Sequence, residues 1–221
     1  MAIQPEQPGV TRARVTIGFT LLLGMAVTAW ALRIEPGNPI FYWGTLAMAA
    51  TWVCGAVTAG AVDRSLLGPD EGVTRPVRQG LALGGLLLGL FVAGAFVIAG
   101  IPVLARPVEG LLAHAEAGWL PLVVLVTAVN GIAEEVFYRG ALFEVAGRHA
   151  VLVTTAIYAT VTVVGGVPLL VLAGLLLGLA TGVQRRVTGG IVAPVVTHLV
   201  WSLGMLLLLP STLDLAQRLW G

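Results

Sequence analysis

The sequence predicts an all-α polytopic integral membrane protein of about seven transmembrane helices, and three observations predict it. Mean hydropathy is +0.96 over 221 residues, 57% of the chain is hydrophobic and only 10% is charged. Apolar stretches recur along the chain at the length of a bilayer crossing, about 20 residues. Glycine is abundant, with 29 residues, and several of its copies fall four apart inside apolar runs. A soluble domain is excluded by this composition, and the near-neutral net charge of +1, without a basic patch interleaved with aromatics, gives no support to nucleic-acid binding.

In chain order the expected spans are Val15 to Leu32, Ile40 to Val62, Gln79 to Leu104, Pro121 to about Ala133, Leu152 to Val164, Leu169 to Val183 and Ile191 to Leu209. The fourth is expected to run on through a charged stretch toward Ala146 as one long helix. The first has no A-x-A site after it and reads as a retained helix rather than a cleaved signal. Residues 1–14 form an N-terminal tail, 15–119 the first membrane helices, 120–210 a core and 211–221 a C-terminal tail. The loop from Asp63 to Arg78 carries Pro69, Asp70, Glu71 and Pro76. Residues 105–119, with Glu109, His114, Glu116 and Trp119, read as an interfacial helix on the outer face, where His114 is solvated.

All twelve basic residues are arginine. An N-terminus on the cytoplasmic side puts nine of them inside (Arg12, Arg14, Arg64, Arg75, Arg78, Arg139, Arg148, Arg185 and Arg186) and three outside (Arg33, Arg106 and Arg218). That bias implies an inner (plasma) membrane protein with a cytoplasmic N-terminus, in contact with membrane lipid. Cys54, the single cysteine, has no intramolecular disulfide partner and reads as an inert core residue. Gly174, Gly178 and Gly182, like Gly80 with Gly84 and Gly85 with Gly89, repeat every fourth residue and suit close helix packing.

The chemistry concentrates in GIAEEVFYRGALF, residues 131–143, where three charges interrupt an apolar segment. Glu135 and Arg139 stand four apart with the glutamate first, the favourable order for a pair on one helix face. Glu134 is turned about 100° away and shares its face with Asn130 and Tyr138. An ionisable residue without a helical partner at membrane depth is a functional candidate, unless the helix surfaces there and the charges are a rim. Two other segments carry polar stripes: Thr155, Tyr158 and Thr162 at i, i+3 and i+7, and His198 with Ser202 at i and i+4. Taken singly, a threonine stripe is ordinary helix packing and an isolated histidine a bond to a carbonyl. Three stripes on three helices point to a shared cavity.

EEVFYR, residues 134–139, resembles the EExxxR signature of the CPBP family: the type II CAAX prenyl endopeptidases and bacteriocin-processing or immunity proteins, described as intramembrane metalloproteases or glutamic endopeptidases. The resemblance covers about residues 120–210 and keeps the family's order, with second and third motifs usually FxxxH and HxxxN. It implies a CAAX-protease-like helical core and hydrolysis of a peptide bond in an unknown membrane-associated peptide or protein. Within it, Glu134 matches the glutamate that activates water, Glu135 and Arg139 the structural pair, and His198 the third-motif histidine beside the oxyanion. Two positions depart: YATVT puts Tyr158 for phenylalanine and Thr162 for the second histidine, and Ser202 replaces asparagine. The catalytic set implied is therefore Glu134, His198, a degenerate Thr162 and Ser202, with Asn130, Tyr158 and Thr155 lining the cavity. No cofactor is expected. A metal is disfavoured, because Glu134 and His198 alone do not make the three ligands a catalytic zinc takes. The alternative is a catalytically degenerate relative acting as a membrane binding, scaffold or immunity protein, and a transport role is a weaker third reading.

Overall fold

A chain that cannot hydrogen-bond to lipid satisfies its backbone internally, and every regular element among the described residues is helical. The computed structural model describes residues 8–60, 64–68 and 72–220. Its helices are α1 (Pro8–Ala31), α2 (Ile40–Thr58), α3 (Thr74–Ala99), α4 (Pro102–Glu116), α5 (Leu120–Glu135), α6 (Phe143–Ala146), α7 (Ala150–Thr162), α8 (Pro168–Thr188) and α9 (Val192–Trp220), with a π-helical turn, Val136–Leu142, between α5 and α6. Proline opens α4, α5 and α8 at their first turns, where its missing N–H costs nothing. Gly189 closes α8 in the left-handed conformation, φ +70°, donating its N–H to the Arg185 carbonyl. Leucines, valines and aromatics such as Phe19, Leu22, Trp43, Leu86 and Leu172 point outward, the belt expected of a protein whose solvent is lipid.

Six helical stretches among the described residues are long and apolar enough to cross a membrane, one fewer than the sequence suggests. The difference lies in Leu120–Gly165, a continuous helical run of 46 residues that contains both the fourth and the fifth expected spans. Its α7 part has only 13 residues, too short to count by itself. The run folds back at Gly147, φ +58°, a conformation open to glycine. Contacts at both ends establish the reversal. Leu32, just beyond α1, approaches Gly165 after α7, while Trp119 before α5 donates its N–H to Tyr42 Oη at the same end of the molecule.

Other boundaries also move. Residues 211–220, expected as a tail, are the last turns of α9, and Leu213 and Ala216 are buried in a cluster with Ala95, Ala99 and Val108. Pro76 falls in the first turn of α3, whereas Asp63, Pro69, Asp70, Glu71 and residues 1–7 lie outside the described residues. Cys54 is exposed on the outside of α2 rather than in a core, because the buried face of that helix is taken by Ala49, Trp52, Gly55 and Ala56. His114 is not solvated: its ring is partly buried 4.7 Å from Phe41, and Nε2 lies 2.7 Å from the Ile34 carbonyl oxygen.

Two glycine seams set the depth at which helices meet. A Cβ on Gly84 would stand 2.8 Å from Val200 Cβ and 2.9 Å from the Thr197 carbonyl oxygen, so α3 and α9 cross in parallel only because that Cβ is absent. Gly85 and Gly89 face open space. On α8, Gly174, Gly178 and Gly182 receive Thr162, Thr155 and Val151 of the antiparallel α7. Thr197 Oγ1 is then within 2.7 Å of Gln184 Oε1 and 3.2 Å of the Gly80 carbonyl oxygen, tying α9 to α8 and α3 one residue before His198.

The adjacent glycines of α3 provide a matched test. Gly84→Ala should destabilise the protein by about 1–3 kcal/mol, the usual cost of overpacking, and lower its unfolding temperature in detergent. Gly85→Ala should be neutral or slightly stabilising, since it adds helix propensity and meets nothing.

Candidate active site

The end of α5 and the π-helical turn place EEVFYR at the centre of the bundle, with Glu135, Tyr138 and Arg139 fully buried. Glu135 and Arg139 form the expected pair, Arg139 Nη1 standing 3.2 Å from Glu135 Oε1. The guanidinium extends toward the Gly178 carbonyl, 3.3 Å from Nη2, and lies 4.9 Å from the centre of the Tyr158 ring. A side chain on Gly178 would stand 3.5 Å from that guanidinium, so the glycine seam of α8 also admits the arginine.

The two glutamates separate as their helical spacing predicts. Glu135 has no exposed side-chain surface, while Glu134 retains 18% and lines a cavity of about 640 Å³. Tyr158 Oη donates a 2.6 Å hydrogen bond to Glu134 Oε2. His198 reaches both carboxylates. Its Nδ1 lies 2.8 Å from Glu135 Oε1, and because a carboxylate only accepts, Nδ1 carries the proton there. Nε2 faces the cavity 3.8 Å from Glu134 Oε2, beyond direct hydrogen-bond length. Glu135 is thus more than the partner of Arg139: it fixes the ring orientation and tautomer of His198.

Asn130, Glu134, Tyr138, Tyr158, Thr162, His198 and Ser202 all line the cavity, as the stripes suggested. Asn130 spends its amide on the Val126 carbonyl of its own helix, 2.8 Å away. The oxygens Asn130 Oδ1, Tyr138 Oη and Ser202 Oγ are enclosed and make no hydrogen bond among the described residues. Thr155 departs from expectation: it does not line the cavity but sits under Gly178, its own hydroxyl without a partner among the described residues. Thr162 reaches the cavity, yet its Oγ1 donates to the Ala159 carbonyl at 2.7 Å and its side chain lies against Gly174. The threonine stripe is therefore the packing seam of α7 against α8. Tyr158, not Thr162, is what α7 brings to Glu134.

Arg185 belongs to the site's support and escaped the sequence reading, which counted it only among the cytoplasmic arginines. It is buried, its Nε donates to the Arg139 carbonyl inside the π-helical turn at 2.8 Å, and its Nη2 meets Glu144 Oε1 at 2.7 Å. The only hint in the sequence was its place four residues before the closing glycine of an apolar helix.

A resident metal does not fit this donor set. A catalytic zinc takes about three protein ligands, and Glu135 is engaged by Arg139 and by His198 Nδ1, leaving Glu134 and His198 Nε2 toward the cavity. Among the described residues no group of three histidine, cysteine, aspartate or glutamate side chains is arranged to hold one.

Unequal burial of the carboxylates predicts unequal consequences. Glu135→Ala strands Arg139 and frees His198, and should destabilise the protein by about 3–5 kcal/mol, the cost of leaving a buried charge without its partner. Glu134→Gln keeps an acceptor for Tyr158 and should unfold in detergent within about 1 kcal/mol of the parent. Equal losses for both variants would refute the division of roles.

The comparisons with known proteins agree with the geometry. No curated protein and no solved structure matches the chain. Residues 116–204 match the family model described as type II CAAX prenyl endopeptidase Rce1-like. That segment contains both glutamates, Arg139, Tyr158, Thr162, His198 and Ser202, and in it the chain is similar to the type II CAAX prenyl endopeptidase Rce1-like proteins.

Proposed function

We propose that this integral membrane protein is an intramembrane endopeptidase that hydrolyses a peptide bond in a membrane-associated peptide or protein, with Glu134 activating water. The observation that carries the reading is the position of Glu134: a partly exposed carboxylate on a cavity of about 640 Å³, one oxygen held by Tyr158 and the accessible nitrogen of His198 3.8 Å away. The Rce1-like match over residues 116–204 supports the same class of reaction.

In this mechanism a water molecule beside Glu134 gives a proton to the carboxylate as its oxygen attacks the scissile carbonyl carbon, and the C=O π pair moves onto oxygen. His198 in its doubly protonated form offers Nε2–H to that oxyanion, while Glu135 on Nδ1 holds the ring still. Ser202, one turn further along α9 and enclosed beside the cavity, supplies a second donor after a rotation about χ1. The protonated Glu134 then passes its proton to the amide nitrogen, the oxyanion pair re-forms the C=O bond as the C–N bond breaks, and a carboxylic acid and an amine leave, becoming a carboxylate and an ammonium after proton exchange.

The arginine bias supports a cytoplasmic N-terminus and an inner (plasma) membrane as the protein's location. The return of α7 across the bundle keeps that assignment consistent with six spanning stretches, because Leu120–Gly165 begins and ends at one face. In a Cys54→Ala background, cysteines replacing the exposed Arg75 or Arg186 should react with an impermeant thiol reagent only from the cytoplasmic side, and one replacing Gly110 only from the opposite side. Reaction of all three from one side would overturn the topology.

Reconstituted in lipid with a peptide library, the protein should release products by mass spectrometry. Glu134→Gln should cut the rate by about 10²–10⁴-fold, the range of general acid–base catalysis. Thr162→His with Ser202→Asn should raise it. If neither the parent nor that double variant cleaves while both are folded, the cavity belongs to a binding protein.

A further inference from the structure

We infer that Tyr158 is the positioning residue of the reaction, the group that aims the Glu134 carboxylate and decides which of its two oxygens takes the proton from water. The inference rests on the endopeptidase reading for its kinetic consequence, but not for the contact itself.

Glu134 has few ways to be held. Its helical neighbour Arg139 is turned toward Glu135, and His198 Nε2 is too distant for a direct bond. Thr162, which faces the same cavity from the next turn of α7, donates its hydroxyl hydrogen bond to the Ala159 carbonyl. Among the described residues, the 2.6 Å bond from Tyr158 Oη to Glu134 Oε2 is the one hydrogen bond that the Glu134 carboxylate receives. A bond of that length from a neutral donor to a carboxylate is charge-assisted and roughly twice as strong as a neutral one. It occupies Oε2, so Oε1 is left to meet the substrate water.

The tyrosine is itself over-determined. It is buried, its ring meets Tyr138 edge-on at 4.8 Å, and the Arg139 guanidinium lies 4.9 Å from the ring centre. The cation that partners Glu135 therefore also stiffens the group that holds Glu134, so the buried ion pair and the cavity carboxylate are coupled through one aromatic ring. Phenylalanine fits the same space and keeps every contact of the ring, but cannot donate. Loss of function in Tyr158→Phe therefore reports the hydroxyl rather than the packing.

Two measurements on the full chain in lipid nanodiscs test this. With ¹³C-labelled glutamate, the infrared carboxylate band assigned to Glu134 by difference against Glu134→Gln should shift in Tyr158→Phe, and the unfolding temperature should hardly change. In peptide hydrolysis, Tyr158→Phe should lower kcat about tenfold to a hundredfold with KM little altered, as expected for one hydrogen bond to a charged group. Adding Thr162→His to Tyr158→Phe should recover much of that loss, by presenting a donor from the next turn of the same helix. An unshifted band overturns the inference whatever the activity. A shifted band with unchanged kcat also overturns it, since the contact then exists without positioning the base. If the parent shows no Glu134-dependent hydrolysis, the endopeptidase reading and the kinetic role fail together, and the shifted band records only a structural bond.

Discussion

Keeping a guanidinium inside a protein that is itself inside a membrane is the constraint around which the remaining structure is arranged. Arg139 is wholly buried, and an unpaired charge there would cost several kcal/mol even after relaxation. Among the groups that answer it are the Glu135 carboxylate in the same helix, the Gly178 carbonyl from α8 and the face of the Tyr158 ring from α7. Each imposes a condition on its neighbourhood. Residue 178 must lack a side chain, α7 must approach α8 within threonine distance of that glycine, and the backbone carrying Arg139 must turn enough to aim the guanidinium there. The π-helical turn Val136–Leu142 meets the last condition, and Arg185 occupies the carbonyl of Arg139 within it. π-Helical turns are uncommon and concentrate at functional sites.

The same arrangement supplies the chemistry almost as a by-product. Once Glu135 is fixed by Arg139, its Oε1 also reaches His198, which thereby presents Nε2 to the cavity. Glu134, one residue earlier, is rotated out of the ion pair and into reach of Tyr158. A buried ion pair is poor evidence of stability, since hydrophobic replacements often stabilise, but it specifies geometry well. Here it specifies the orientation of a histidine and of a tyrosine that face a second, partly exposed carboxylate. The cavity has room for more than this cluster. Its walls continue from α5, α7 and α9 to Ile98 of α3 and Leu112 of α4, where they are almost entirely apolar.

Much of this was legible in the sequence. Hydropathy located every spanning stretch, because lipid leaves the backbone no alternative to the helix, and the separate jobs of Glu134 and Glu135 followed from 100° of rotation per residue. The glycine repeats at 80 and 84 and at 174, 178 and 182 correctly announced close packing, whereas 85 and 89 carried the same spacing and pack against nothing. Periodicity names a face but not what the face meets. For the same reason Thr155 and Thr162, on one stripe with Tyr158, were read as cavity groups although the stripe is chiefly the contact of α7 with α8. A threonine can satisfy its hydroxyl on its own helix, as Thr162 does, and so sends no signal about its surroundings.

By itself, then, the sequence determined the class of fold, the helical segments, the pairing of Glu135 with Arg139 and the isolation of Glu134, because each depends on length, hydropathy or spacing within one helix. The tertiary structure decided what lies between helices. It joined two expected spans into one stretch that turns back at Gly147, carried α9 past its expected end to Trp220, and buried Arg185 against the carbonyl of Arg139. It also gave Glu134 its hydrogen bond from Tyr158 and His198 its bond to Glu135. Those contacts join residues 24, 46 and 63 positions apart, and their distances are set by how closely helices approach. A missing Cβ on one helix and a ring on another fix that approach together, which no single segment encodes.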